Sequence, residues 1–305
     1  MNAASPKIKS HVFVLKLAVL AALSVTGFLL TSSSSGLSSV LGIVFLGAMF
    51  AHAVELQHQC LHYTAFQSRG MNRIVGILLG LPMLTSFHAY RRSHLDHHRN
   101  LGTPGDTPFF NYRFIESSSI GAFLYDMLGI SHIKTSFSAI FGQNDSRLIA
   151  VSSSNEPSTI SERFDYGLMA FMLACACLYT MGFGSFLILK VWLIPLLLVA
   201  QPIHFLIELP EHIGCTRDST DSFQNTRTIV GSRFSRWFTN GNNLHVEHHL
   251  APALSMDQLG ALFQSNRGKH KHLTSTYIEF YWSLFRMLRP ASLVVAADNS
   301  ARRPA

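Results

Sequence analysis

Apolar residues along this chain do not alternate with polar ones; they come in long blocks. Four blocks, at about residues 12–31, 37–54, 167–189 and 191–209, approach the ~20 residues that a helix needs to cross the hydrocarbon layer of a bilayer. The breaks at 32–36 and at Gly182, Gly184 and Ser185 are rich in turn formers, so the pattern predicts two helical hairpins, over 12–54 and 167–209. A fifth run, residues 74–87, is too short to span and contains Gly76, Gly80 and Pro82, which suits a re-entrant or interfacial helix. The first block has no small-residue cleavage site and is followed at once by a second apolar block, so it reads as a mature helix rather than a signal peptide. The expected fold class is all-α integral membrane: four transmembrane helices in two hairpins, with a cytoplasmic helical cap from residues 58–165 and 210–290 and a tail over 291–305, all in one domain.

Composition supports a membrane protein. With 48% hydrophobic and only 13% charged residues, the 305-residue chain is too apolar for an ordinary soluble domain. Of 24 Lys and Arg, nine lie within 58–165 and eleven after 210, while the two hairpin turns carry only Lys190. By the positive-inside rule the termini and both polar regions are cytoplasmic, with a bacterial inner membrane favoured over the endoplasmic reticulum. The net charge of +7 is scattered without a nucleic-acid recognition motif, so no nucleic-acid partner is expected. Anionic lipid headgroups account for most of it, and a basic face also attracts an acidic electron carrier or acyl carrier protein. The four cysteines, Cys60, Cys175, Cys177 and Cys215, form no disulfide framework and read as packing residues.

Eight of the sixteen histidines fall in three clusters, His58/His62, His94/His97/His98 and His245/His248/His249, each beside an apolar block. Residues three and four apart share a helix face, so each cluster can aim its imidazoles one way. His58 and His62 lie at the cytoplasmic end of the second block and His212 just past that of the fourth, so the clusters meet on one side of the membrane. Eight converging imidazoles exceed the one to four protein ligands of a mononuclear zinc or haem site, whereas two adjacent transition metals absorb them. Two irons are the first candidate, since zinc cannot cycle electrons. A membrane haem or metal carrier fits less well, because adjacent histidine pairs serve axial haem ligation poorly and transport sites lie near mid-membrane.

His58-Gln59-Cys60-Leu61-His62, His94-Leu95-Asp96-His97-His98 and His245-Val246-Glu247-His248-His249 resemble, in order and spacing, the three histidine boxes of the membrane fatty acid desaturase and hydroxylase superfamily. The resemblance extends to Glu211-His212-Ile213-Gly214-Cys215, to Asn225-Thr226-Arg227-Thr228 and to Asn242-Asn243, and covers roughly residues 40–255. It implies two Fe ions held by the eight box histidines and His212, dioxygen as co-substrate, and attack on an unactivated carbon–hydrogen bond. Desaturation of an aliphatic fatty acyl or acyl-derived chain, free or carrier-bound, is the expected reaction, and hydroxylation of a lipid or small biosynthetic substrate is the alternative. No His-Pro-Gly-Gly motif of a fused cytochrome b5 domain is present, so electrons are expected from an external ferredoxin or cytochrome b5-type donor.

Metal-bound imidazoles usually donate their second N–H to a carboxylate or carbonyl; Asp96 and Glu247, then Glu208 and Glu211, are the expected outer partners. Asn242 and Asn243 are read as orienting a water or capping a helix. Gln59 and Tyr63 stand where many members of the superfamily carry an acidic residue and a glycine, and Ala251 where a larger residue precedes proline. Tyr63 is expected to narrow the approach to the metals and Ala251 to open it, which points to a short or modified substrate. His204, inside the fourth block beside Pro202, is read as lining the substrate channel. His52 and His88 are assigned to packing or outer-shell roles, and His11, His132, His270 and His272 to the polar surface. Residues 141–163, rich in serine and containing Pro157, predict a mobile polar loop.

Overall fold

The computed structural model describes residues 8–106, 109, 110, 112, 119–142 and 159–287 of the chain. Most of the expected loop at 141–163 and all of the tail at 291–305 lie outside these residues. The described chain is mostly helical. In chain order its principal helices are α1 (Ser10–Thr31), α2 (Gly36–Leu61), α3 (Arg69–Gly80), α4 (Phe87–Asn100), α5 (Ile120–Met127), α6 (Ile130–Ile140), α7 (Ile160–Phe183) and the composite α8 (Leu189–Glu211). Four of these, α1, α2, α7 and α8, are long and apolar enough to cross a membrane.

The boundaries differ from the hydropathy pattern in an instructive way. α2 runs on past residue 54 to Leu61, and every residue from Ala51 to Leu61 is buried. Two of its amides are anchored inside the protein: Gln57 donates to the Gly76 carbonyl at 3.0 Å, and Gln59 donates to Ser255 at 2.9 Å. A lipid-transfer scale penalises those residues, but they never meet lipid. α7 likewise begins at Ile160 rather than 167, with a capping box between Thr159 and Glu162. Glu162 then pairs with Arg92 at 2.9 Å, and Asp165 accepts from Ser86 at 2.7 Å and pairs with His88 at 3.0 Å, fixing α7 against α4. Gly184, at φ 58, ends α7 in the left-handed region that glycine tolerates.

The short run at 74–87 is not a span of its own. α3 and the 3-10 turn that follows it meet α4 at a bend of 100°. Gly80 makes the bend possible, because a Cβ there would collide with the Thr85 carbonyl and the Gln57 amide. α8 contains two π-helical stretches, Leu189–Leu193 and Leu196–Ala200, on either side of Pro195, whose missing N–H breaks the regular ladder. Burial separates the spans: 50% of the hydropathic window of α2 and 39% of that of α8 are buried, against 11% for α1 and 6% for α7. The inner pair, α2 and α8, therefore carries the polar interior. Beyond α8, a two-stranded parallel pairing of Thr228–Ile229 with Leu273–Thr274 and the hydrogen bonds of Asn243 to the Ile229 and Val230 carbonyls seat the helix His245–Leu250 beneath α2.

Candidate metal centre

Nine imidazoles from four separate segments converge. The last turn of α2 supplies His58, and His62 follows as its C-cap; α4 supplies His94, His97 and His98; His212 caps the end of α8; the helix His245–Leu250 supplies the rest. They divide into two groups that could each hold a metal ion, His58/His62/His94/His248 and His97/His212/His245/His249. His98 completes the first group, its Nε2 lying 3.0 Å from both His94 Nε2 and His248 Nε2. Helical spacing does the sorting: His94 and His98, four apart, face one group while His97 faces the other, and His245 and His249 reverse the pattern against His248.

The nitrogen contacts fit ligation and do not fit hydrogen bonding. His94 Nε2 meets four other Nε2 atoms, of His58 at 2.7 Å, His62 at 2.8 Å, His98 at 3.0 Å and His248 at 3.4 Å. One Nε2 carries one proton or one lone pair, so at most one of those contacts can be a hydrogen bond. In the second group the His97–His212, His245–His212 and His249–His245 pairs are each 3.2 Å apart. Two ligands at right angles about an ion ~2.1 Å away lie ~3.0 Å from each other, which is the spacing found. Burial also keeps most of the imidazoles neutral. Burial, then neighbouring imidazoles, hold His94, His98, His245, His248 and His249 well below the usual histidine range. Burial with Arg91 takes His62 to about 3, and burial with His97 takes His212 to about 3.

Outer contacts fix the tautomers of the second group. His97 Nδ1 donates to Asp106 at 2.7 Å, His212 Nδ1 to the Asn225 carbonyl at 3.1 Å, and His245 Nδ1 to the Asn242 carbonyl oxygen at 3.0 Å. All three partners accept only, so each Nε2 must present its lone pair inward. Asn242 is itself oriented by donating to Glu211 at 2.8 Å. The other Glu211 oxygen lies 3.1 Å from His245 Nε2. A cavity of about 290 Å³ opens against both groups, touching His58 and His94 of the first and His97, His212 and His245 of the second.

The fatty acid desaturase family model matches residues 35–281 of this chain, well over half its length. The chain belongs to the fatty acid desaturase family. It is also similar to the dihydrorhizobitoxine desaturase of Bradyrhizobium elkanii, at 27% identity over 231 residues covering 70% of this chain and 63% of that protein, less than two thirds of the relative's length.

Several residues singled out in the sequence sit elsewhere than expected. Asp96 points out of α4 and pairs with Arg99 at 2.7 Å, because it lies on the face opposite the box histidines. Glu247 also turns away from the imidazoles: it is fully buried, accepts from Thr228 at 2.8 Å and pairs with His270 at 2.7 Å, anchoring the third-box helix from behind. His270 is thus an interior residue rather than a surface one. Asn243 holds the backbone of Ile229 and accepts from Thr239, leaving only Asn242 in contact with a box imidazole. Glu208 lines the cavity and accepts from Tyr90 at 3.3 Å. His204 faces a smaller neighbouring cavity of about 50 Å³. Neither Tyr63 nor Ala251 lines the cavity at the histidines; Ala251 caps the third-box helix, and Tyr63 packs beneath arginines. His132 is half-buried and contacts the Met83 carbonyl at 3.0 Å. All four cysteines are free, and Cys215 lines the cavity.

Sequence reasoning missed Asp106. It lies nine positions beyond His97, past the end of α4, and reaches back through the turn-rich run Gly102-Thr103-Pro104-Gly105. The signal was present: Gly102 sits at φ 81 against the Ser219 carbonyl, where a Cβ would collide. The Asn225 carbonyl carries no signal at all, since any residue has one.

Proposed function

We propose that this chain is a dioxygen-dependent membrane desaturase whose nine histidines hold two iron ions, with the site facing the cytoplasm. The observation that carries this reading is the division of nine imidazoles into two adjacent groups beside one cavity. When bound, the irons would supply reductive activation of dioxygen to an oxidant strong enough for an aliphatic carbon–hydrogen bond. The residues do the rest. Asp106, Asn242 and the Asn225 carbonyl hold three imidazoles in one tautomer and orientation. Tyr90 and Phe109, with ring centroids 4.9 Å apart, and Phe110 form an aromatic wall of the cavity. A substrate is held there with two neighbouring carbons against the histidines; removal of one hydrogen from each, with dioxygen, two electrons and two protons, gives an alkene and two waters.

The substrate is an aliphatic, fatty acyl or acyl-derived chain of restricted size. The cavity is compact, and Glu208, Tyr112 and Thr103 make part of its wall polar. That wall is compatible with the relative named for dihydrorhizobitoxine, and it favours a short chain carrying a polar group over a long alkyl tail. Electrons come from a separate ferredoxin or cytochrome b5-type protein.

The test is product analysis by mass spectrometry of cells expressing the wild type, the His248→Ala variant or neither, with metal analysis of the purified protein. Two irons per chain and a new alkene that disappears with His248→Ala are expected. An oxygen-labelled alcohol as sole product would instead assign the chain to hydroxylation, and iron-free protein after careful loading would end the redox reading.

A further inference from the structure

One cluster outside the histidine site is left unexplained by the chemistry above. Three guanidinium groups surround a single phenol ring: Arg91 lies 4.2 Å, Arg69 5.7 Å and Arg73 6.0 Å from the centroid of Tyr63, and Arg73 also donates to the Tyr63 hydroxyl at 3.2 Å. Nearby Arg92 and Arg99 are paired with Glu162 and Asp96, whereas among the described residues Arg69, Arg73 and Arg91 have no carboxylate partner. Arg91 Nε is buried without a hydrogen-bond partner. Like charges held together this way repel, and Arg69 and Arg73 are exposed.

The cluster is tied directly to the metal centre. Tyr63 follows His62, whose Nε2 lies 2.8 Å from His94 Nε2 in the first group. Tyr63 has φ 57, a left-handed conformation that a tyrosine keeps only when its surroundings hold it there. The orientation of α3 indicates what approaches. Arg69 and Arg73, four apart, share one face of the helix, while the exposed apolar residues Met71, Ile74 and Leu78 share the opposite face. An apolar face of this kind suits lipid, and the arginines lie on the other side of the helix, beside Tyr63.

We infer that the arginine cluster around Tyr63 is the docking surface for an acidic one-electron carrier protein, an assignment that rests on the redox function proposed above. Each encounter oxidises the carrier by one electron and reduces the histidine-bound centre by one, and two encounters supply the two electrons consumed per alkene. Charge complementarity selects the partner, and Tyr63 and His62 give the shortest covalent route from the docked surface to the first group.

The test uses the full chain, loaded with iron, in phosphatidylcholine nanodiscs, with a strongly acidic [2Fe–2S] ferredoxin as the probe and binding read by interferometry under anaerobic conditions. Arg69→Gln with Arg73→Gln should weaken ferredoxin binding about tenfold at low ionic strength and flatten its salt dependence, with iron content and optical spectrum unchanged. Arg69→Lys with Arg73→Lys, which keeps the charge, should stay within about twofold of wild type. Unchanged affinity and salt dependence in the glutamine variant would overturn the assignment. So would intact ferredoxin binding with lost adsorption to phosphatidylglycerol vesicles, which would give the arginines to lipid headgroups. No turnover is involved, so iron-free protein would defeat the redox function itself, whereas arginine-independent ferredoxin binding defeats only the docking surface.

Discussion

The two histidine groups use the same ligand chemistry but are supported differently. In the second group three imidazoles are fixed from outside, by Asp106, the Asn225 carbonyl and Asn242. The first group is packed against itself, with His94 at its centre and Arg91 and Tyr63 behind His62. The second group is adjacent to carboxylates and contributes three of the five histidines on the cavity wall; the first is adjacent to uncompensated arginines. Under the proposed function, substrate and protons meet the carboxylate side while electrons enter on the cationic side. Outer-shell support goes to the group that must keep its geometry while substrate comes and goes.

The largest test of this contrast is His94→Ala. Because His94 Nε2 is common to four contacts, its loss should empty the first group while leaving the second loaded, so bound iron falls from two to one per chain and product formation drops by at least about a thousandfold. Metal analysis beside product assay checks it; two irons retained would show that the groups are not divided as described.

Acidification should affect both groups alike. His62 and His212, one from each, have folded-state values near 3 against an ordinary 6.5. Between those values the unfolded chain binds protons that the folded one does not, so stability is full above about pH 6.5 and is lost as pH falls, by about 1.4 kcal/mol per pH unit for each such histidine. Thermal unfolding of metal-free protein from pH 8 to pH 5 measures it, and a flat profile would mean that the imidazoles are protonated in the fold.

The finer comparison is between two aspartates. Asp106→Ala should weaken iron binding in the second group about 10- to 100-fold and leave the first untouched. Asp96→Ala, which breaks only a surface pair with Arg99, should change iron affinity and activity less than about twofold. Chelator competition followed by optical titration separates them, and equal effects would return Asp96 to the site.

The nine histidines were legible as candidates because helical spacing of three and four leaves a local signature. The outer shell was not. Asp96 and Glu247 stand inside the boxes and point away, while Asp106 stands outside and points in, since the direction of a side chain depends on where a distant turn returns the chain. Tyr63 drew notice as a departure from the family pattern, but its place beneath three arginines required α3 and α4 to close across it.

By itself the sequence determined that four apolar helices are long enough to cross a bilayer and that imidazoles cluster at the ends of two of them, because hydropathy and helical period are properties of neighbours in the chain. Only the tertiary structure decided which spans are buried, where α2 ends, how nine ligands divide into two groups and which acid supports which imidazole. Most of those depend on contacts between residues tens to hundreds of positions apart, such as Gln59 with Ser255 and His58 with His248, which no local pattern records.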